Sequence, residues 1–215
     1  MNQDNQRLQS PAWMIFIAKA VSVLFHPLFV GVMMAAYLIY GDPDLFSGFA
    51  EKDKMLKLMT VINNNVFFPL LVVVLLKALG FNKSIFLHTQ KERIVPYIAS
   101  ITFFFWTYYI FKGQPEIPRT LVYMCRGLFF SASAALLLNN YFKISMHGMG
   151  VGGFMGLIVL LRVQGETIPI YMFILVLLLS AGVLQARKIV SDHQWGDLIV
   201  GFAVGFLSQL IVLWV

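Results

Sequence analysis

The chain has 215 residues, of which 59% are hydrophobic and 12% charged. A soluble domain carries roughly 25% charged residues, so this composition leaves too few to cover a water-facing surface. The net charge of +6 comes from bases scattered over short segments with no stripe, which excludes a nucleic-acid partner, and the single Cys125, set in an apolar stretch, excludes a disulfide framework.

A helical crossing of a bilayer core needs about 20 mostly apolar residues. Such stretches run over 13–40, 58–80, 95–112, 120–142, 146–163, 168–186 and 194–215. Backbone groups in lipid must be satisfied internally, and alternation of period two is absent, so helices are expected rather than a barrel. The expected fold is all-α: a polytopic transmembrane bundle of six to seven spans, forming one integral membrane domain over 1–215. The opening residues MNQDNQRLQSPAW lack the basic start and small-residue cleavage site of a removable signal, so the first stretch is expected to be kept.

Polar residues inside these stretches carry expectations of their own. His26-Pro27 predicts a kink in the over-long first stretch, or a surface helix leading into it. Asn63, Asn64 and Asn65 are expected to bond between helices, and Arg126 to snorkel to its nearer membrane face. Seven serial crossings put the N-terminus and the loops 81–94, 143–145 and 187–193 on one face. The loops 41–57, 113–119 and 164–167 then lie on the other. Lysines and arginines are nearly balanced between the faces, so orientation is not fixed by them.

Three segments on the first face concentrate functional side chains. In ARKIVSDHQWGD, Arg187 precedes His193, and Asp197 follows it by four residues. On a helix that spacing sets aspartate beside histidine, where it can fix the ring tautomer and leave the other nitrogen to act as a nucleophile. In KISMHGMGVGG, Ser145 and His147 open a span, a place suited to an anion. In HTQKERIVPY, Lys91 and Arg93 offer cations, while His88 reads as an interfacial histidine. Asn139 and Asn140 lie close enough to line the same region. Together the segments hold a nucleophile, an acid and cations for phosphoryl oxygens. Metal-ligand spacings, a P-loop and a G-x-S-x-G turn are absent from the sequence.

These residues resemble the type 2 phosphatidic acid phosphatase superfamily, related to bacterial acid phosphatases and vanadium haloperoxidases. Its motifs are K-x6-R-P, P-S-G-H and S-R-x5-H-x3-D. Arg187, His193 and Asp197 match the third, with Ala186 replacing serine. Ser145 and His147 match the second, with Ile144 and Met146 replacing proline and glycine. Lys112 and Arg119 keep the first motif's spacing. Yet the apolar stretch 120–142 would put them about 30 Å from Ser145, so Lys91 and Arg93 are taken as the corresponding bases.

The resemblance implies a metal-independent phosphoric monoester or diphosphate hydrolase without a cofactor, acting on a lipid phosphate in the bilayer, expected in a bacterial cytoplasmic membrane. His193 would form a phosphohistidine, oriented by Asp197, and His147 would protonate the leaving group. Arg187, Ser145, Lys91 and Arg93 would hold the phosphoryl oxygens, with Gly148 taking over part of the role of the lost glycine. A lipid phosphotransferase, or a non-catalytic lipid-binding or transport protein with the same fold, are the rival expectations. Glycines at steps of four, Gly148, Gly152 and Gly156 on one span and Gly201 and Gly205 on the last, are expected to pack together and bring His147 near His193.

Overall fold

The computed structural model describes residues 11–42, 44–81, 89–141 and 143–215, and among these it has eight helices and no strand. Six helices are long and apolar enough to cross a bilayer, or seven spans if a bent pair at the start counts as one. Arg7, Lys83 and His88 lie outside the described residues.

That bent pair occupies the stretch over 13–40, with the kink expected at His26-Pro27. Helix α1 covers Ala12–Leu24 and α2 covers Pro27–Ala36, prolonged by a π turn over Tyr37–Gly41; the two meet at 61°. Pro27 lacks an N–H and its ring would clash with the carbonyl four residues back, so the first helix cannot run through it. His26 instead starts a new helix: its backbone is extended, and its Nδ1 accepts the N–H of Leu28 at 3.4 Å.

Helix α3 runs over Glu51–Ala78 through a π turn at Asn63–Phe67. It starts about two turns before the expected 58, so Lys52, Lys54 and Lys57 are helical rather than loop residues. Glu51 and Asp53 lie in the first turn, where carboxylates complement the positive helix end, and Lys54 pairs with Glu51 at 3.0 Å. Helices α4 (Gln90–Lys112), α5 (Arg119–Leu138), α6 (Met146–Val163), α7 (Ile170–Val190) and α8 (Trp195–Leu210, ending in a 3-10 turn over Ile211–Leu213) complete the bundle. Thr89 and Glu92 form a capping box at the start of α4, the glutamate accepting the Thr89 N–H at 3.0 Å.

Serial reversal of direction brings the starts of α4, α6 and α8 to one end of the bundle. The start of α2 joins them, since His26 stacks edge-on against His147 there. At the opposite end Lys57 reaches Gln114 and Glu116, Lys112 sits over the Tyr108 ring, and Arg126 donates to the carbonyl of Val212 between Tyr108 and Tyr123. Lys112 and Arg119 belong to that far end. Asn65 accepts from Thr107 of α4 at 3.3 Å, the inter-helix bond expected of this asparagine cluster, whereas Asn64 bonds its own helix at Thr60.

Helix α6 is the centre. Two thirds of its most apolar window (67%) is buried, against 22–33% for the other spans. Its glycines explain this. A Cβ on Gly148 would stand 2.7 Å from the Leu198 carbonyl, one on Gly156 would stand 2.6 Å from that of Phe206, and one on Gly201 would stand 2.6 Å from that of Ser145. Side chains on Gly152 and Gly205 would overlap the backbones of Phe202 and Met149. Lipid tails are as apolar as leucine, so association relies on close packing, which small residues permit. The expected glycine faces of α6 and α8 therefore do meet, along the length of both helices.

Candidate functional site

The α6–α8 seam sets two short linkers side by side, that before α6 and that between α7 and α8. Lys143 forms an ion pair with Asp192 across them, and the N–H of Ser145 donates to the carbonyl of Asp197 at 3.3 Å. The lysine holds the Asp192 carboxyl below the usual carboxylate range, burial opposing it. Ser145 is fully buried and caps α6, its Oγ accepting the N–H of Gly148 at 3.2 Å. Gly148 thus directs its amide at the cap rather than at a ligand. The Ser145 hydroxyl proton is not needed for that cap.

The α7–α8 corner is built by capping. Ser191 donates its hydroxyl to the Arg187 carbonyl at the end of α7 and accepts the N–H of His193 at 3.4 Å. Gln194 caps α8, and Asp197 completes a capping box by accepting the Gln194 N–H at 2.8 Å. The same carboxylate oxygen lies 3.5 Å from Nδ1 of His193. The two predicted partners lie side by side, though at this distance Nδ1 makes no hydrogen bond to the carboxylate and His193 precedes the helix instead of lying on it. The imidazole is 4% exposed. Burial first, then the charges of Arg187 and Arg93, hold its pKa below the ordinary 6.5, with Asp197 and Asp192 opposing.

His147 lies in the first turn of α6, partly buried. Its Nε2 is 2.9 Å from the carbonyl oxygen of Ser22, which can only accept, so this nitrogen carries a proton and Nδ1 faces elsewhere. The His26 ring stands 5.6 Å away at 82°. Arg187 acts electrostatically on all three imidazoles, His26, His147 and His193. Of the two bases in the first turn of α4, Arg93 reaches His193 electrostatically, while Lys91 is exposed. Residues two apart on a helix do not share a face, so the pair cannot serve one anion together. Asn139 is engaged elsewhere: its side-chain amide donates to the Gln90 backbone carbonyl at 2.9 Å and its own backbone carbonyl accepts from the Gln90 side chain at 2.8 Å, clamping α5 to α4.

Pro27 and Met146, the sequence neighbours of His26 and His147, line a small, mainly apolar cavity of about 70 Å³ that is partly open to the outside. Pro27, Tyr97 and Met146 stand at its upper end; Phe104, Leu128 and the fully buried Gln209 lie deeper. Gln209 is about 21 Å along α8 from its start, at 1.5 Å per residue. Among the described residues no three His, Cys, Asp or Glu side chains converge as metal ligands do.

The structure brings together Arg187, His193, Asp197, Ser145, His147 and Arg93. It adds three parts that local sequence patterns do not give: the Ser22 carbonyl, the Lys143–Asp192 pair, and His26, whose only signal was the proline after it. Comparison of the chain with family models, with curated proteins and with solved structures finds no match.

Proposed function

We propose that this chain is a membrane lipid-phosphate phosphatase acting through a phosphohistidine. The observation that carries the reading is a buried imidazole, His193, with Asp197 3.5 Å from its Nδ1 and with Arg187, Arg93 and a second imidazole around it, while Pro27 and Met146, next in sequence to His26 and His147, line an apolar cavity. The arrangement fits the third and second motifs of the type 2 phosphatidic acid phosphatases, which Arg187, His193, Asp197, Ser145 and His147 resemble. Nε2 of His193 attacks phosphorus as the bond to the leaving oxygen breaks, with Arg187 and Arg93 against the equatorial oxygens. The leaving oxygen takes the P–OH proton of the phosphate monoanion, relayed through Nδ1 of His147, whose Nε2–H the Ser22 carbonyl accepts. Water then attacks the phosphohistidine, Nδ1 of His147 takes its proton, and the N–P bond breaks to release phosphate.

The cavity supports a substrate with a hydrocarbon tail. The test is phosphate release by the purified protein from a panel of lipid monophosphates and diphosphates. His193→Ala is expected to fall to background, and His147→Ala to lose about 10²–10⁴-fold. No release from any member, or equal release by His193→Ala, overturns the reading. Added acceptor alcohols separate hydrolysis from transfer.

One observation favours a second reading, a lipid-phosphate binding protein without turnover. Ile144 is fully buried and Gly148 gives its amide to the helix cap, which leaves fewer donors around a developing oxyanion. Binding of lipid phosphate without release is its expected signature.

A further inference from the structure

We propose that His26, at the break between α1 and α2, is a third imidazole of this site and a phosphoryl-binding residue. The inference rests on reading the site as one for phosphate. Three of the chain's four histidines come from distant parts of the sequence, yet one guanidinium, that of Arg187, acts on all three. Each comes from a different element: His26 from the break, His147 from the start of α6, His193 from the α7–α8 corner.

The break is held in place on both sides. Helix α1 packs on α7 and α2 packs on α6, while the Ser22 carbonyl, four residues before His26, accepts from His147. The T-shaped contact between the His26 and His147 rings follows from this docking. His26 also has a defined tautomer. Its Nδ1 accepts the Leu28 N–H, so the ring proton is on Nε2, and among the described residues none accepts from that nitrogen. His26 is exposed, so a ligand can reach it. An N–H donor on an exposed ring, beside a second imidazole and under the influence of a guanidinium, matches a phosphoryl oxygen.

A capping role alone would explain a histidine here, and one substitution separates the two. Asparagine caps helices well, so His26→Asn keeps the start of α2 and removes the imidazole. The measurements are KM and kcat for phosphate release, the affinity for orthovanadate, and the melting temperature, for wild type, His26→Asn, His26→Ala and His193→Ala. A hydrogen bond to a charged group is worth enough to change binding by roughly ten- to a hundredfold. Both His26 variants are expected to raise KM and the vanadate Kd by about that factor, with kcat changed less, and His26→Asn to melt like wild type. Wild-type KM and vanadate affinity in His26→Asn would reduce His26 to a cap and overturn the inference, while loss in His193→Ala would leave the phosphatase reading standing. Vanadate that binds none of the proteins, with no phosphate released, overturns both.

Discussion

A histidine that attacks phosphorus must carry a lone pair at neutral pH, and the surroundings of His193 supply that condition twice. Burial disfavours the charged ring, and Arg187 and Arg93 repel it. A pKa lowered from 6.5 means the neutral form is complete above that value and is lost only as pH falls further. The unfolded chain protonates near 6.5 while the folded one does not, so this residue's contribution to stability is full above 6.5 and declines as pH drops below it. The acid limb of kcat/KM is expected below pH 6.5. Arg187→Gln should move it upward, alongside a loss of activity, as read from pH–rate profiles of the two proteins. The spacing of Arg187, His193 and Asp197 made this cluster legible in the sequence. The contact arises through the N-terminal cap of α8, however, and not through neighbouring turns of one helix. Lys91 and Arg93, taken together from the sequence, are separated by helical phase because α4 starts at Gln90. The Ser22 carbonyl had no sequence mark at all, because a backbone acceptor is the same in every residue type.

Among the elements, the seam between α6 and α8 was the most readable, since glycines at steps of four leave a stripe on each helix. Its depth sets a prediction. Gly152→Ala forces a methyl group into the backbone of Phe202, and overpacking of this kind typically costs about 1–3 kcal/mol. The variant is expected to melt lower in detergent than wild type, whereas Gly182→Ala, where a Cβ meets nothing within 4 Å, should not. Helix starts were less legible than helix interiors. Hydropathy placed the second span from 58, but α3 begins at Glu51, outside the apolar window, with Glu51 and Asp53 in its first turn. Pro27 did mark the break after α1. What the proline could not reveal is that the break docks beside His147, because that depends on how α1 and α2 pack on α7 and α6.

At the scale of the whole molecule, α2, α4, α6 and α8 all begin at one end, so the positive ends of four helix dipoles point where the three imidazoles gather. The charge on that end is therefore partly a property of the chain's direction, not only of its side chains. The cavity beneath gives a measurable consequence for selectivity. Ala132 lines it and is buried. Ala132→Phe would displace about two methylenes of a bound tail, at ~0.8 kcal/mol each. The expected result is a loss of roughly tenfold in kcat/KM for a long-chain lipid phosphate, with little change for a short soluble phosphate ester.

The glycine contact between α6 and α8 has a further implication for traffic within the leaflet. Two backbones that close leave no gap for a hydrocarbon chain to slip through. On the proposed function, a lipid tail would reach the hollow from the flank of α2, α4 and α5, whose side chains supply much of its lining.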